Sequence, residues 1–196
     1  MGKKLIALLA IAVIIAIAYF AFGKSLFGTS FESGLAQIGE VDSKYGIGET
    51  NLIPENANET ANYISELDSL KAQFENAPES REKSALLLLV GSKIDAANAQ
   101  KSMIGGAEAY RRISKVKYEC GEGETASVAG INFGKAVEYA ERALSLRGTF
   151  IENYPDFAET AGTGPTDTGT LALRALAESA GELVKNIEAY CSIQNA

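Results

Sequence analysis

Leu5 to Phe22 is a run of 18 residues without a charge, LIALLAIAVIIAIAYFAF, entered from Lys3-Lys4 and left at Lys24. As a helix it spans roughly 27 Å, close to the roughly 30 Å hydrocarbon core of a bilayer. It has no polar side, so it does not read as a surface helix of a folded domain. Two segments fit the pattern. One is a secretory leader, with Leu5–Ile15 as its apolar core and Ala16-Ile17-Ala18 as a small-x-small cleavage site. The other is an anchor that stays. The apolar run continues past that site through Tyr19, Phe20 and Phe22, aromatics placed where a membrane-interface belt is expected, and this favours the anchor. No cysteine follows the run to carry a lipid. The order Gly2-Lys3-Lys4 is also wrong for a prepilin-type leader.

Beyond the run the pattern changes to helical spacing. Ser25 to Ile53 has glycines at 28, 34, 39, 46 and 48 among isolated apolar residues, and reads as a stalk or loosely ordered lead-in, although Leu26, Phe27, Phe31, Leu35 and Ile38 could form a short helix near the membrane. From Pro54 onward, apolar residues recur every three or four positions. Glu55–Phe74 places Ala57, Ala61, Ile64, Leu67, Leu70 and Phe74 on one side. Pro78–Ile104 does the same with Leu86, Val90, Ile94, Ala97 and Ile104, and its LLLLV stretch is apolar all round, as a central helix would be. Gly105-Gly106 predicts a break or kink, with a third helix over Ala107–Tyr118 turning Tyr110, Ile113 and Val116 or Lys117 inward. CGEGETASVAG predicts a loop. A fourth helix follows with Phe133, Val137, Ala140 and Leu144, ending near Gly148. After the AETAGTGPTDTGT loop, Leu171–Cys191 carries Leu173, Leu176, Ala180, Leu183, Ile187 and Tyr190 at alternating spacings of three and four. No segment alternates as a strand. The expected fold is all-α: one transmembrane helix (residues 1–24), a linker (25–53), and an antiparallel bundle of about five helices in hairpins (54–196).

Charge fixes orientation and narrows function. Lys3 and Lys4 hold the short N-terminal side in the cytoplasm and place the body outside the membrane, whether residues 1–18 are cleaved or kept. All 25 acidic residues and 15 of the 18 basic ones follow Lys24, so the exported part carries 15 − 25 = −10. Such a body repels nucleic acid and anionic lipid. Histidine is absent, which removes the commonest general base and metal ligand, and tryptophan is absent too. Cys120 and Cys191 are expected to form a disulfide in the oxidising compartment outside.

Short motifs carry little chemistry. Asp167-Thr168-Gly169 has the tripeptide of aspartic proteases but stands in a Gly/Pro/Thr loop before a helix, where Asp167 or Thr168 reads as an N-cap. FGKS (22–25) and NFGKA (132–136) lack the glycines of a phosphate loop. Glu119, Glu122 and Glu124 cluster without a calcium-loop spacing. Arg111, Arg112, Lys115 and Lys117 share the polar side of one helix and make a candidate docking patch for an acidic partner. Asn58-Glu59-Thr60 is the only N-glycosylation triplet. GKAVEYAERALSL (134–146) resembles the second helix of a tetratricopeptide repeat at Ala136, Tyr139, Ala143 and Leu144. It departs from that family at Ala140, where an aromatic belongs, and at Gly148, where a proline belongs. The first helix of such a repeat would fall on CGEGETASV, which reads as a loop.

The expectation for function is a non-catalytic, membrane-anchored extracytoplasmic scaffold. Its partners would be membrane lipid, through the N-terminal helix, and other envelope proteins. No nucleic acid, metal or cofactor is expected. The alternative is a structural subunit, homo-oligomeric or part of a larger complex or filament, assembled through the apolar N-terminal helix.

Overall fold

The computed structural model describes residues 30–47, 56–113, 120, 121 and 123–194. The expected anchor at 5–22 lies outside them. Among the described residues no helix is long and apolar enough to cross a membrane. They form six helices and no strands. The helices are α1 (Phe31–Lys44), α2 (Ala57–Glu75), α3 (Arg81–Arg112), α4 (Thr125–Asn153), the short α5 (Pro155–Thr160) and α6 (Thr168–Gln194).

Local chemistry sets where most of these helices begin. Ser30, Asn56 and Ser80 accept hydrogen bonds from the backbone N–H groups of Ser33, Glu59 and Lys83, so each satisfies an orphan donor of a first turn. Asp167 does the same for Thr170 at the start of α6, as its place in the sequence predicts. Pro155 opens α5 at the position where a missing N–H matters least. The α2–α3 turn is closed from inside. Lys83, 8% exposed, donates from Nζ to the carbonyls of Glu75 and Ala77 and to the Glu79 carboxylate, so carbonyls at the end of α2 are capped by a buried cation.

The long helices pack as a row. α2 lies on α3, α3 on α4 and α4 on α6, while α6 barely touches α3. Neighbours run antiparallel. Ser92 of α3 donates to the Ala143 carbonyl of α4, whereas Gly106, farther along α3, meets Phe133, earlier on α4. The α3–α4 seam is lined with small residues (Ala96, Ala99, Ala109, Ala126, Ala129, Ala136, Ala140, Ala143), and these let the two backbones approach closely. α1 crosses α2 and α3, and α5 folds back on α4. There Phe31 stacks on Phe157 at 4.3 Å and lies 6.2 Å from Phe150. Burying a phenylalanine of this kind stabilises by about 1.5–3 kcal/mol. Cys120 and Cys191 form the expected disulfide, with a Cα–Cα distance of 5.6 Å, beside the N-terminal end of α4, opposite the aromatic cluster at its C-terminal end.

Three elements differ from the sequence expectation. The first is the stalk: residues 31–44 are a helix built into the core, with Phe31 and Ile38 each 1% exposed. Gly34 is not a breaker there. A Cβ on it would lie 2.3 Å from a Leu86 methyl, so glycine is what lets α1 sit on α3. The second is the break at Gly105-Gly106: α3 runs unbroken through both, and Gly106 is where the Phe133 ring presses on the helix. The expected helices 78–104 and 107–118 are therefore one within α3, and residues 114–119 lie outside the described residues. The third is α4, which begins at Thr125, not near Phe133, because Ala126 and Ala129 continue its buried stripe, and which runs past Gly148 to Asn153, burying Phe150. On α2 the deeply buried positions are Thr60, Tyr63, Leu67, Leu70 and Phe74, while Ala57, Ala61 and Ile64 flank them.

Candidate binding groove

The packing of α1 on α3 leaves an opening between α1 and the loop from α5 to α6. It forms a groove of about 770 Å³. Its floor is apolar, from Leu35 and Ile38 of α1, Leu89 of α3, and Ile47 just past α1. Its walls are polar, from Ser43, Thr160, Thr163, Thr166 and Thr168, with Asp42, Lys93, Arg147 and Asp167 placed deeper.

These four charged side chains are paired. Lys93 Nζ lies 2.8 Å from Asp42 Oδ2, and the Tyr63 hydroxyl donates to Asp42 Oδ1 at 2.7 Å. Burial first, and then the Asp42 charge, push the Tyr63 phenol far above its ordinary value, so it stays a donor. On the opposite wall Arg147, its side chain 13% exposed, donates from Nη2 to Asp167 Oδ1 at 2.7 Å and from Nε to Thr170 Oγ1 at 2.7 Å. Asp167 also accepts from the backbone N–H groups of Gly164 and Thr170. Burial alone would raise the Asp167 pKa. The donors from Gly164, Arg147 and Thr170 outweigh it and hold the carboxyl at about 2. The Gly/Thr/Pro loop is thus fastened to α4 and forms a fixed wall.

Gly39 is the other notable feature of the groove. It lies in mid-α1, facing the opening, and a Cβ built on it would meet nothing within 4 Å. A glycine inside a helix costs roughly 0.5–1 kcal/mol relative to alanine. At Gly34 and Gly106 a neighbouring side chain requires the glycine; at Gly39 no neighbour does, and a side chain there would extend into the groove. With an apolar floor, charge-neutral walls and no uncommitted charge deep inside, the groove is suited to holding an apolar segment with polar edges.

The residues singled out in the sequence lie elsewhere. Arg111 and Arg112 are exposed on the last turn of α3, roughly 27 Å along the helix from Lys93, where cations suit the C-terminal end of the macrodipole. Lys115 and Lys117 lie outside the described residues. Among the described residues no cluster of three or more His, Cys, Asp or Glu side chains could hold a metal. The groove itself was not foreseen, because its lining comes from α1, α3, α4 and a loop that no spacing rule brings together. The nearest signal was Gly39 inside the apolar spacing of Phe31, Leu35 and Ile38. No protein-family model, no curated protein and no solved structure matches this chain.

Proposed function

We propose that the protein is a non-catalytic scaffold of the cell envelope, anchored by residues 5–22 with its N-terminus in the cytoplasm. Its helical domain stands outside the membrane and holds a segment of another envelope protein in the groove between α1 and the α5–α6 loop. The supporting observation is the groove itself: an apolar floor, walls whose charges are already neutralised, and Gly39 kept at a position where no internal contact needs it. The disulfide and the acidic body accord with an extracytoplasmic setting.

The test is site-specific photo-crosslinking in intact cells. A photoreactive residue at Ser43, on the groove wall, should give one discrete protein adduct that withstands a high-pH wash of the membranes. The same probe at Ser65, exposed on α2, should not give it. Equal adducts from both positions, or none from Ser43, would refute the groove as the contact.

A further inference from the structure

The row of helices ends on α6, and between α6 and α4 lies a second, shallower groove of about 410 Å³ on the surface away from α3. Its floor is made of small side chains, Val137 of α4 with Ala177 and Gly181 of α6. Gly181 stands in the interior of a 27-residue helix, and a Cβ there would meet nothing within 4 Å. Gly134, one turn before Val137 on the same stripe of α4, is equally open. Both therefore carry the helix-propensity cost of glycine with no contact inside the chain to require it. In the groove itself Gly181 keeps the floor smooth, so that another backbone can lie close.

The rim has a definite sign. Glu141, Glu178 and Glu182 line it against the single cation Lys185, and all four side chains are exposed. Among the described residues none of the four is in an ion pair. This differs from the groove at α1, where each charge has a partner. A second copy of the chain meeting this face across a two-fold axis would set carboxylates against carboxylates, which is unfavourable. A cationic occupant would neutralise them.

We infer that the α4–α6 groove is a second docking surface, and that its partner is a basic helix of a different protein. That helix would present a small-residue face to Gly181 and Ala177 and lysines or arginines to the three glutamates. The contact is independent of the α1 groove, and either can fail without the other.

The probe is a fluorescent synthetic helix of about 20 residues, roughly 30 Å long, built of Ala, Gln and Lys, with a counterpart in which Glu replaces every Lys. Binding to the full-length protein is followed by fluorescence anisotropy at low ionic strength. Gly181→Trp fills the floor from a position with open space around it, and should raise the Kd of the lysine helix at least tenfold. Ser65→Trp, exposed on α2 and outside both grooves, should leave that Kd unchanged. The triple variant Glu141→Gln, Glu178→Gln, Glu182→Gln adds no bulk and should also weaken binding at least tenfold, which covers the case that Gly181→Trp disturbs the fold. The inference is overturned if the glutamate helix binds as well as the lysine helix, or if both variants bind like the wild type. It is also overturned if sedimentation shows a self-associated protein that Gly181→Trp dissociates, since the occupant would then be a second copy.

Discussion

Adjacent glycines in α3 should respond to the same substitution with opposite signs. At Gly105 a new Cβ would stand 3.6 Å from the Asn132 side chain, an ordinary contact. Gly105→Ala therefore keeps the packing and gains helix propensity, about 0.5–1 kcal/mol. At Gly106 the same atom would fall 2.6 Å from two carbons of the Phe133 ring, and Phe133 is 1% exposed with little room to retreat. Overpacking of this kind costs about 1–3 kcal/mol, so after the propensity gain Gly106→Ala should still lose up to about 2.5 kcal/mol. The propensity gain is common to both, so the two variants should differ by the overpacking cost, about 1–3 kcal/mol. For a chain of this size that separates their Tm values by roughly 2–12 °C, with wild type between them. Thermal unfolding of the full-length protein, followed by circular dichroism, is sufficient to measure this. If Gly105→Ala destabilises as much as Gly106→Ala, the pair is a hinge or break and the continuous α3 is wrong.

Three further outcomes follow from the same structure. The disulfide closes a separation of 71 residues, for which the chain-entropy model gives about 4.4 kcal/mol and typical delivered values are about 2–4. Cys120→Ser with Cys191→Ser should lower the urea midpoint accordingly, and hydrogen exchange should accelerate first at the start of α4 and the end of α6; an unchanged midpoint would contradict this. Asp167, held at about 2 when folded, contributes stability above its unfolded value of about 3.9 and loses it as pH falls toward 2. The stability gap between wild type and Asp167→Asn should be full above about pH 5 and close near pH 2, and a gap that persists there would refute the assignment. Finally, protein recovered from membranes after a high-pH wash without reductant should have its full-length mass less two hydrogen atoms; a shortened, soluble form beginning near Tyr19 would make the opening segment a leader.

How much was legible in the sequence depended on whether a residue's role was local. Helical spacing located α2 and α6, and Asp167 was readable as a cap, because these depend on neighbours a few positions away. LLLLV at 86–90 marked a central helix, and Leu86, Leu89 and Val90 are indeed buried where α1, α2 and α4 converge. The glycines were misread because one residue type serves two opposite purposes. Gly106 looks like a breaker and acts as the receptor for a ring that arrives from residue 133. Gly34 looks like part of a flexible stalk and lets Leu86 into contact. The α1 groove was invisible for the same reason: Asp42 with Lys93, and Arg147 with Asp167, are pairs that only the folded row creates.

The central claim, that the α1 groove holds a partner, is tested most directly at Gly39. Gly39→Ala adds one methyl in open space, and Gly39→Trp fills the groove from the same position. Neither should melt below wild type, because both relieve a helix of an interior glycine. The photo-crosslinked adduct from Ser43 should persist in Gly39→Ala and disappear in Gly39→Trp. An adduct that survives Gly39→Trp at wild-type yield would show that nothing occupies the groove and that the partner is held elsewhere.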